Sequence, residues 1–187
     1  MSTQTLTVNN EAWTIDTPDD ISVTQVDPTT LSIIINAHNT EAITFTPVNN
    51  GVDGVFKTGL QFAVTNGSDT PLNGFDLKLM SNTAAMGPLD TNDPSGHPDN
   101  YTHFHNITGS DGTDPFAPLT LNTFLPDGSV DPSGLAPVIS QDEIPPSDLR
   151  ASGTFDPGQT VFGNAATMHQ TEMAGLDNGF KLIFSPS

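Results

Sequence analysis

The sequence contains no cysteine, and only four of its 187 residues are lysine or arginine. The lack of cysteine excludes a disulfide scaffold, thiol catalysis and zinc sites built on thiolates. A protein that binds nucleic acid or an anionic membrane surface needs a basic patch, and the four bases here are scattered along the chain. We therefore expect neither nucleic acid nor an anionic membrane surface as a partner.

Long apolar runs are missing as well. No segment approaches the roughly 20 apolar residues that a membrane-spanning helix needs, so we expect no membrane insertion. Residues 1–4 have neither the charged region nor the apolar region of a conventional signal peptide. The short apolar segment 179–185 fits the last strand of a core, with a C-terminal export signal as the alternative interpretation.

Acidic and turn-forming residues dominate instead. The chain carries 22 Asp and Glu residues, a formal net charge of −18, and 16 each of glycine and proline. Together with abundant Thr, Asn and Ser, this composition is typical of exported bacterial β proteins. We expect an extracellular or cell-surface location, with the periplasm as the alternative.

Hydrophobic residues alternate at a period of two along most of the chain, whereas a sustained 3.6-residue period is lacking. This pattern predicts an all-β protein, an antiparallel β-sandwich or jelly roll, formed by a single domain over residues 1–187. Residues 60–65 and 75–79, separated by turn-forming residues, are predicted to pair as a hairpin. Residues 31–35 are predicted to form a central strand buried on both faces. Further strands are predicted at 4–8, 13–16, 21–26, 43–45, 119–124 and 180–184.

Two segments carry a resemblance to a known class of protein. Residues 62–68 (FAVTNGS) and 72–79 (LNGFDLKL) resemble a hairpin that is common in exported bacterial β-sandwich modules, carbohydrate-binding ones among them. Residues 155–160 (FDPGQT) resemble the turn that precedes a final edge strand in such modules. The resemblance implies a β-sandwich fold and an exported module. With one Trp and one Tyr, the chain cannot present a flat row of exposed Trp and Tyr rings to a polysaccharide.

The middle of the chain, from about residue 81 to residue 158, departs from this alternation. It is rich in proline and acid and holds three of the five histidines. Asp-Pro pairs recur in it, and each predicts a turn because the residue before a proline is disfavoured in helical geometry. We expect a long, loop-rich acidic insertion here, either a simple excursion or a set of loops ordered by a ligand.

The clearest chemical signal is the sequence GHPDNYTHFH at residues 96–105. Two histidines separated by one residue on a strand lie on the same face, where both can chelate one transition metal, copper, zinc, iron or manganese. Phe104, between them, is predicted to face the core. The alternative is that both histidines are solvated strand positions. The candidate ligands of this site are His97, His103, His105, His169 and Glu172, of which His169 contributes only if the late strands fold back beside this segment.

Calcium is a second candidate ion, because it takes six to eight oxygen ligands and the middle segment is rich in Asp and Asn. The alternative is that Asp-Gly and Asp-Pro pairs are ordinary turns. Residues 127–131 begin like an EF-hand loop, but Pro132 stands where that loop requires glycine and Val138 where it requires glutamate. The candidate calcium ligands are Asp90, Asn92, Asp93, Asp111 and Asp114.

Familiar catalytic motifs are absent: the sequence has no G-x-S-x-G elbow, no phosphate-binding loop and no dinucleotide-binding glycine pattern. We therefore expect a secreted or cell-surface acidic β-sandwich, a binding or structural module that metal ions stabilise. Its expected partner is an extracellular glycan or a protein. The alternative is a small metalloenzyme, or a metal-binding protein, with a histidine-based transition-metal site.

Overall fold

A computed structural model describes residues 1–8, 10–37, 41–48, 56–81, 102–104, 119–139, 148–170 and 180–187. All regular structure in these residues is β-strand, and none of them forms a helix long and apolar enough to cross a membrane. The all-β class predicted from the period of two is confirmed. In chain order the strands are β1 (Ser2–Val8), β2 (Glu11–Thr17), β3 (Ile21–Gln25), β4 (Thr30–Ile35), β5 (Ile43–Pro47), β6 (Phe56–Asn66), β7 (Leu72–Ser81), β8 (Thr102–Phe104), β9 (Leu119–Phe124), β10 (Ala136–Ile139), β11 (Asp148–Phe155), β12 (Thr160–Gln170) and β13 (Phe180–Pro186).

The described strands form two sheets. One is a seven-stranded antiparallel sheet in the order β1-β2-β5-β13-β7-β11-β10. The other is a six-stranded sheet in which β3, β4, β6 and β12 follow one another, and both β8 and β9 pair with the far edge of β12. Within this second sheet β4 and β6 run parallel, and the other pairs are antiparallel.

Alternating burial explains why these segments form strands with one face against the core. In β4, Leu31, Ile33 and Ile35 are buried, whereas Ser32 and Ile34 are half-buried on the opposite face. The prediction that this strand is central is confirmed by its pairing with β3 and β6, but its outer face is only partly covered. One hydrophobic cluster takes residues from both sheets, with its largest side chains being Trp13, Phe45, Phe62, Phe75, Phe155 and Phe184.

The predicted hairpin of residues 60–65 and 75–79 is wrong. Strand β6 belongs to the six-stranded sheet and β7 to the seven-stranded sheet, so the turn carries the chain across the core. Phe62 and Phe75 meet edge to face, with ring centroids 5.7 Å apart. Both strands bury one apolar face, and that pattern is the same whether two strands pair side by side or face each other between sheets.

Asn66 holds this crossing turn. Its Nδ2 donates to the carbonyl oxygens of Thr70 and Phe155 at 3.0 and 2.7 Å, and its Oδ1 accepts from the Ser68 amide and hydroxyl at 3.0 and 2.6 Å. The side chain is fully buried. All the bonding capacity of this amide is therefore used in joining the turn to the end of β11.

Two glutamines link the outer strands of the two sheets. Gln4 on β1 donates from Nε2 to the carbonyl oxygen of Val23 on β3 at 2.9 Å. Gln25 on β3 donates in return to the carbonyl oxygen of Thr7 on β1 at 2.5 Å. These bonds occupy backbone carbonyls on strands that each have a single described neighbour in their sheet, which is one way to blunt an exposed sheet edge.

The turn at residues 155–160 is confirmed, but the strand that follows it is neither final nor at an edge. Strand β12 pairs with β6 on one side and with β8 and β9 on the other. The final strand is β13, which lies between β5 and β7, with Leu182 and Phe184 buried. The C-terminal apolar segment is therefore a core strand, as one of its two interpretations predicted.

Candidate functional site

The short strand β8 places one candidate histidine opposite another. In the antiparallel pair of β8 and β12, His103 is the register partner of His169, and Phe104 is the partner of Met168. Residues directly opposite each other in such a pair have Cα atoms about 4.5–5.5 Å apart. Strand β12 does lie beside Thr102–Phe104, as His169 needs in order to join the site.

The strand register also places Lys57 of β6 in line with the two histidines. His169 pairs on its other side with Lys57 of β6. Positions 103, 169 and 57 therefore form one register row across β8, β12 and β6.

All the other candidate ligands lie outside the described residues. These are His97, His105 and Glu172 of the transition-metal set and all five candidates of the calcium set, Asp90, Asn92, Asp93, Asp111 and Asp114. Within the part of the chain that the structure describes, no group of three or more His, Asp or Glu side chains is arranged to hold a metal ion. The structure thus adds one observation to the predicted transition-metal site, which is that His103 and His169 are register partners.

The loop that begins like an EF-hand, residues 127–131, is a pair of side-chain-capped turns. Asp127 Oδ1 accepts from the amide and the hydroxyl of Ser129 at 2.9 and 2.6 Å. Asp131 does the same with Ser133 at 2.9 and 2.7 Å, and its Oδ2 accepts from Gln159 Nε2 at 2.8 Å. For these two carboxylates the ordinary-turn interpretation is the one that the geometry supports.

The same capped turn occurs at Asp27, whose Oδ1 accepts from the amide and hydroxyl of Thr29, both at 2.8 Å. Hydrogen bonds to the charged form lower a carboxyl pKa. The Thr29 amide, followed by its hydroxyl, lowers the pKa of Asp27, and the Ser129 hydroxyl and amide lower the pKa of Asp127. Both groups are therefore ionised at neutral pH.

A groove crosses the outer face of the six-stranded sheet, and sequence analysis did not find it. Its floor is one register row, in which Ser32, Ala63, Phe162 and Asn122 stand side by side on β4, β6, β12 and β9. The two small side chains lie next to a large ring, which leaves a depression of about 540 Å³. The turn that follows β3 closes one end of it.

The walls of the groove combine apolar and polar groups. The Phe162 side chain is 49% exposed and meets Phe124 edge to face, with centroids 5.5 Å apart. Val26, 63% exposed, and the carboxylate of Asp27 line the rim. An exposed apolar surface with a few polar groups around it has the character of a binding site.

Comparison with protein-family models, curated proteins and solved structures finds no match to this chain. Function is therefore inferred from the geometry of the β8–β12 pair and of the groove.

The groove could not be found from the sequence because its residues come from four strands and a turn. The sequence held one signal of the groove, the aromatic residue Phe162. Its neighbours along the strand, Val161 and Gly163, face the core, so the Phe162 ring points to the outer face.

Proposed function

We propose that the protein is a secreted or cell-surface β-sandwich binding module stabilised by a metal ion. The observation that carries the metal proposal is the register of His103 against His169. Imidazoles bind copper, zinc, iron and manganese. Two histidines directly opposite each other on neighbouring strands, with Cα atoms about 4.5–5.5 Å apart, would share one ion at about 2.0–2.1 Å from each nitrogen.

A metal at this position would join distant parts of the chain. Strand β8 has three residues, Thr102–Phe104, and is flanked by long segments rich in acid, glycine and proline. A cross-link that closes a loop of the size between His103 and His169 reduces the entropy of the unfolded chain by an amount worth about 4 kcal/mol. An ion between these histidines would therefore hold the acidic middle segment to β12 of the six-stranded sheet.

Charge supports a stabilising role for cations in general. A chain with 22 acids and four bases repels itself in the folded state, and bound cations relieve that repulsion. The proposed calcium ligands, Asp90, Asn92, Asp93, Asp111 and Asp114, are a second place where an ion would act. The extracellular or cell-surface location is supported by the composition, which is rich in Gly, Pro and acidic residues.

The small metalloenzyme is the alternative function, and it would use the same histidines. A catalytic ion keeps a coordination position open for substrate, whereas a structural ion is enclosed by protein ligands. The two alternatives therefore differ in whether the bound metal takes up a small exogenous ligand such as azide or cyanide. A structural ion predicts no such binding.

The test is the metal content and melting temperature of the full chain. Saturation with zinc at about 100 times Kd would stabilise the fold by about 2.7 kcal/mol, or about 5–10 °C for a chain of this size. We expect stoichiometric transition metal in the wild type and a loss of both metal and Tm shift in His169→Ala. His38→Ala, which removes a histidine outside the candidate set, is the matched control. Metal-free protein that zinc or copper does not stabilise would contradict the proposal.

A further inference from the structure

The groove on the six-stranded sheet presents two of the large hydrophobic side chains that the described structure leaves exposed. Val26 stands on one side of the depression and Phe162 on the other, and Ala63 and Ser32 lie between them. Phe124 supports the Phe162 ring from the side. Apolar side chains of an extended partner would find a ring on one wall and an aliphatic group on the other.

The four basic residues are divided unequally between the two sheets. Lys57 lies on β6 of the six-stranded sheet, whereas Lys78, Arg150 and Lys181 lie on β7, β11 and β13 of the seven-stranded sheet. There Arg150 donates from Nε to Asp76 Oδ1 at 2.7 Å and from a second nitrogen to Oδ2 at 3.1 Å. Among the described residues that line the groove there is no base, and Asp27 is the one charged group.

The Thr29 amide and hydroxyl both donate to Oδ1 of Asp27 and fix the carboxylate in place. A carboxylate oriented in this way presents its negative charge without having to reorganise on binding. An anionic ligand would meet this charge together with a protein whose net charge is −18. A cationic group would be attracted by both.

We propose that this groove binds a basic, amphipathic segment of a partner protein, with an apolar side chain against Phe162 and Val26 and a lysine or arginine at Asp27. This inference rests on the proposed binding-module function, because it names the partner of that module, and it is independent of the metal. A depression of about 540 Å³ holds two or three side chains. The partner therefore contacts the sheet through a short segment.

The test is selection from a displayed library of random heptapeptides on immobilised full-length protein. Binders are selected on the wild type and depleted on the double variant Asp27→Asn/Phe162→Ala. We expect the enriched peptides to combine at least one arginine or lysine with an aromatic or branched aliphatic residue. Absence of enrichment over the double variant would overturn the inference, as would enrichment of peptides without a base.

Single variants then locate the binding. Asp27→Asn keeps an oxygen that can accept the turn hydrogen bonds, and it should weaken a selected peptide about tenfold, as should Phe162→Ala. The matched control is Asp127→Asn, the same change in the same kind of turn outside the groove lining, and it should change affinity less than twofold. Equal losses in both Asp variants would assign the effect to net charge and overturn the inference.

The same variants separate this inference from the proposed metal. Metal content and zinc-dependent melting of Phe162→Ala should match the wild type, because the groove and the His103–His169 pair involve different residues. Tight binding of a neutral oligosaccharide in the groove, competing with the peptides, would replace the partner class named here. That outcome would leave the binding-module proposal standing.

Discussion

The ring of Phe62 lies directly against the backbone of Gly163, so that a Cβ atom on this glycine would stand 2.1 Å from the ring. Phe62 on β6 and Gly163 on β12 are directly opposite each other, and the next pair along the two strands is Ala63 and Phe162. Because residue 163 has no side chain, the Phe62 ring can pack against its backbone and be buried in the core. Phe62 in turn packs on Phe75 of the other sheet.

Gly163→Ala should therefore destabilise the fold by about 1–3 kcal/mol, since the added methyl overfills a packed core. Urea denaturation gives the measurement. Phe62→Leu in the same chain removes the ring atoms that the methyl would meet, so the double variant should be more stable than the sum of the two single losses predicts. Strictly additive losses would show that the two residues do not contact.

Replacement of Asn66 by alanine should cost about 3 kcal/mol. It leaves buried partners, the carbonyl of Phe155 and the amide of Ser68 among them, without their hydrogen bonds, and each such group costs about 1–3 kcal/mol. Asp127→Ala removes the same kind of turn cap at an exposed position, where water replaces the lost hydrogen bonds, and should cost much less. Similar losses in the two variants, measured by thermal unfolding, would contradict the role given to Asn66.

The capped Asp turns predict the direction of an acid effect. The pKa values of Asp127 and Asp131 are lowered from the ordinary 3.8, with the hydroxyls of Ser129 and Ser133 as the largest causes. A depressed pKa in the folded state stabilises the fold above the unfolded value, and that stability is lost as the pH falls through the folded value. The wild type should therefore lose stability relative to Asp127→Asn/Asp131→Asn below about pH 4. A difference that stays constant from pH 6 to pH 2.5 would count against these turns.

The strand pattern could be predicted from the sequence, whereas the pairing of strands could not. Residues 119–124 form a strand within the predicted limits, and β4 and β13 hold the buried residues expected of them. Alternation shows which residues face a core but not which strand lies beside which. Alternation therefore could not distinguish a hairpin between β6 and β7 from a turn that crosses between the two sheets.

Strands β10 and β11 were missed, and β12 was expected only from the turn that precedes it, because local features interrupt the patterns of all three. Strand β12 contains Gly163 and a register shift between Ala165 and Met168, where one extra residue breaks the alternation. Strand β11 contains Gly153, with a positive φ of 144°, near its own register shift. Strand β10 has four residues and includes Pro137. Each feature reads as a turn or loop when only neighbouring residues are considered.

The candidate site was predicted in part. His103 and His169 were both named from residue type, and their position opposite each other follows from strand pairing, which the sequence does not show. The proposed His103–His105 pair and the calcium ligands stay predictions, since those sites include residues outside the described ranges. Phe162 and Asp27 were missed because the groove forms only when β4, β6, β12 and β9 stand in register.

Calcium bound by the acidic middle segment predicts a salt-dependent loss of stability on chelation. Removing the ion restores repulsion among carboxylates at Asp90, Asp93, Asp99, Asp111 and Asp114, so EDTA should lower Tm by several degrees at about 10 mM ionic strength. Added calcium should reverse the loss. High monovalent salt should reverse it in part, because the screening length falls to about 3 Å at 1 M. A melting temperature that EDTA leaves unchanged would remove calcium from the account.

The most direct test of the proposed metal pair is a double-mutant cycle on His103 and His169. The measured quantity is the rise in Tm that saturating zinc produces in the wild type, His103→Ala, His169→Ala and the double variant. If both imidazoles hold one ion, each single change should remove most of a rise of about 5–10 °C, and the double change should remove no more. A full rise in either single variant, or losses that simply add, would contradict a shared ion.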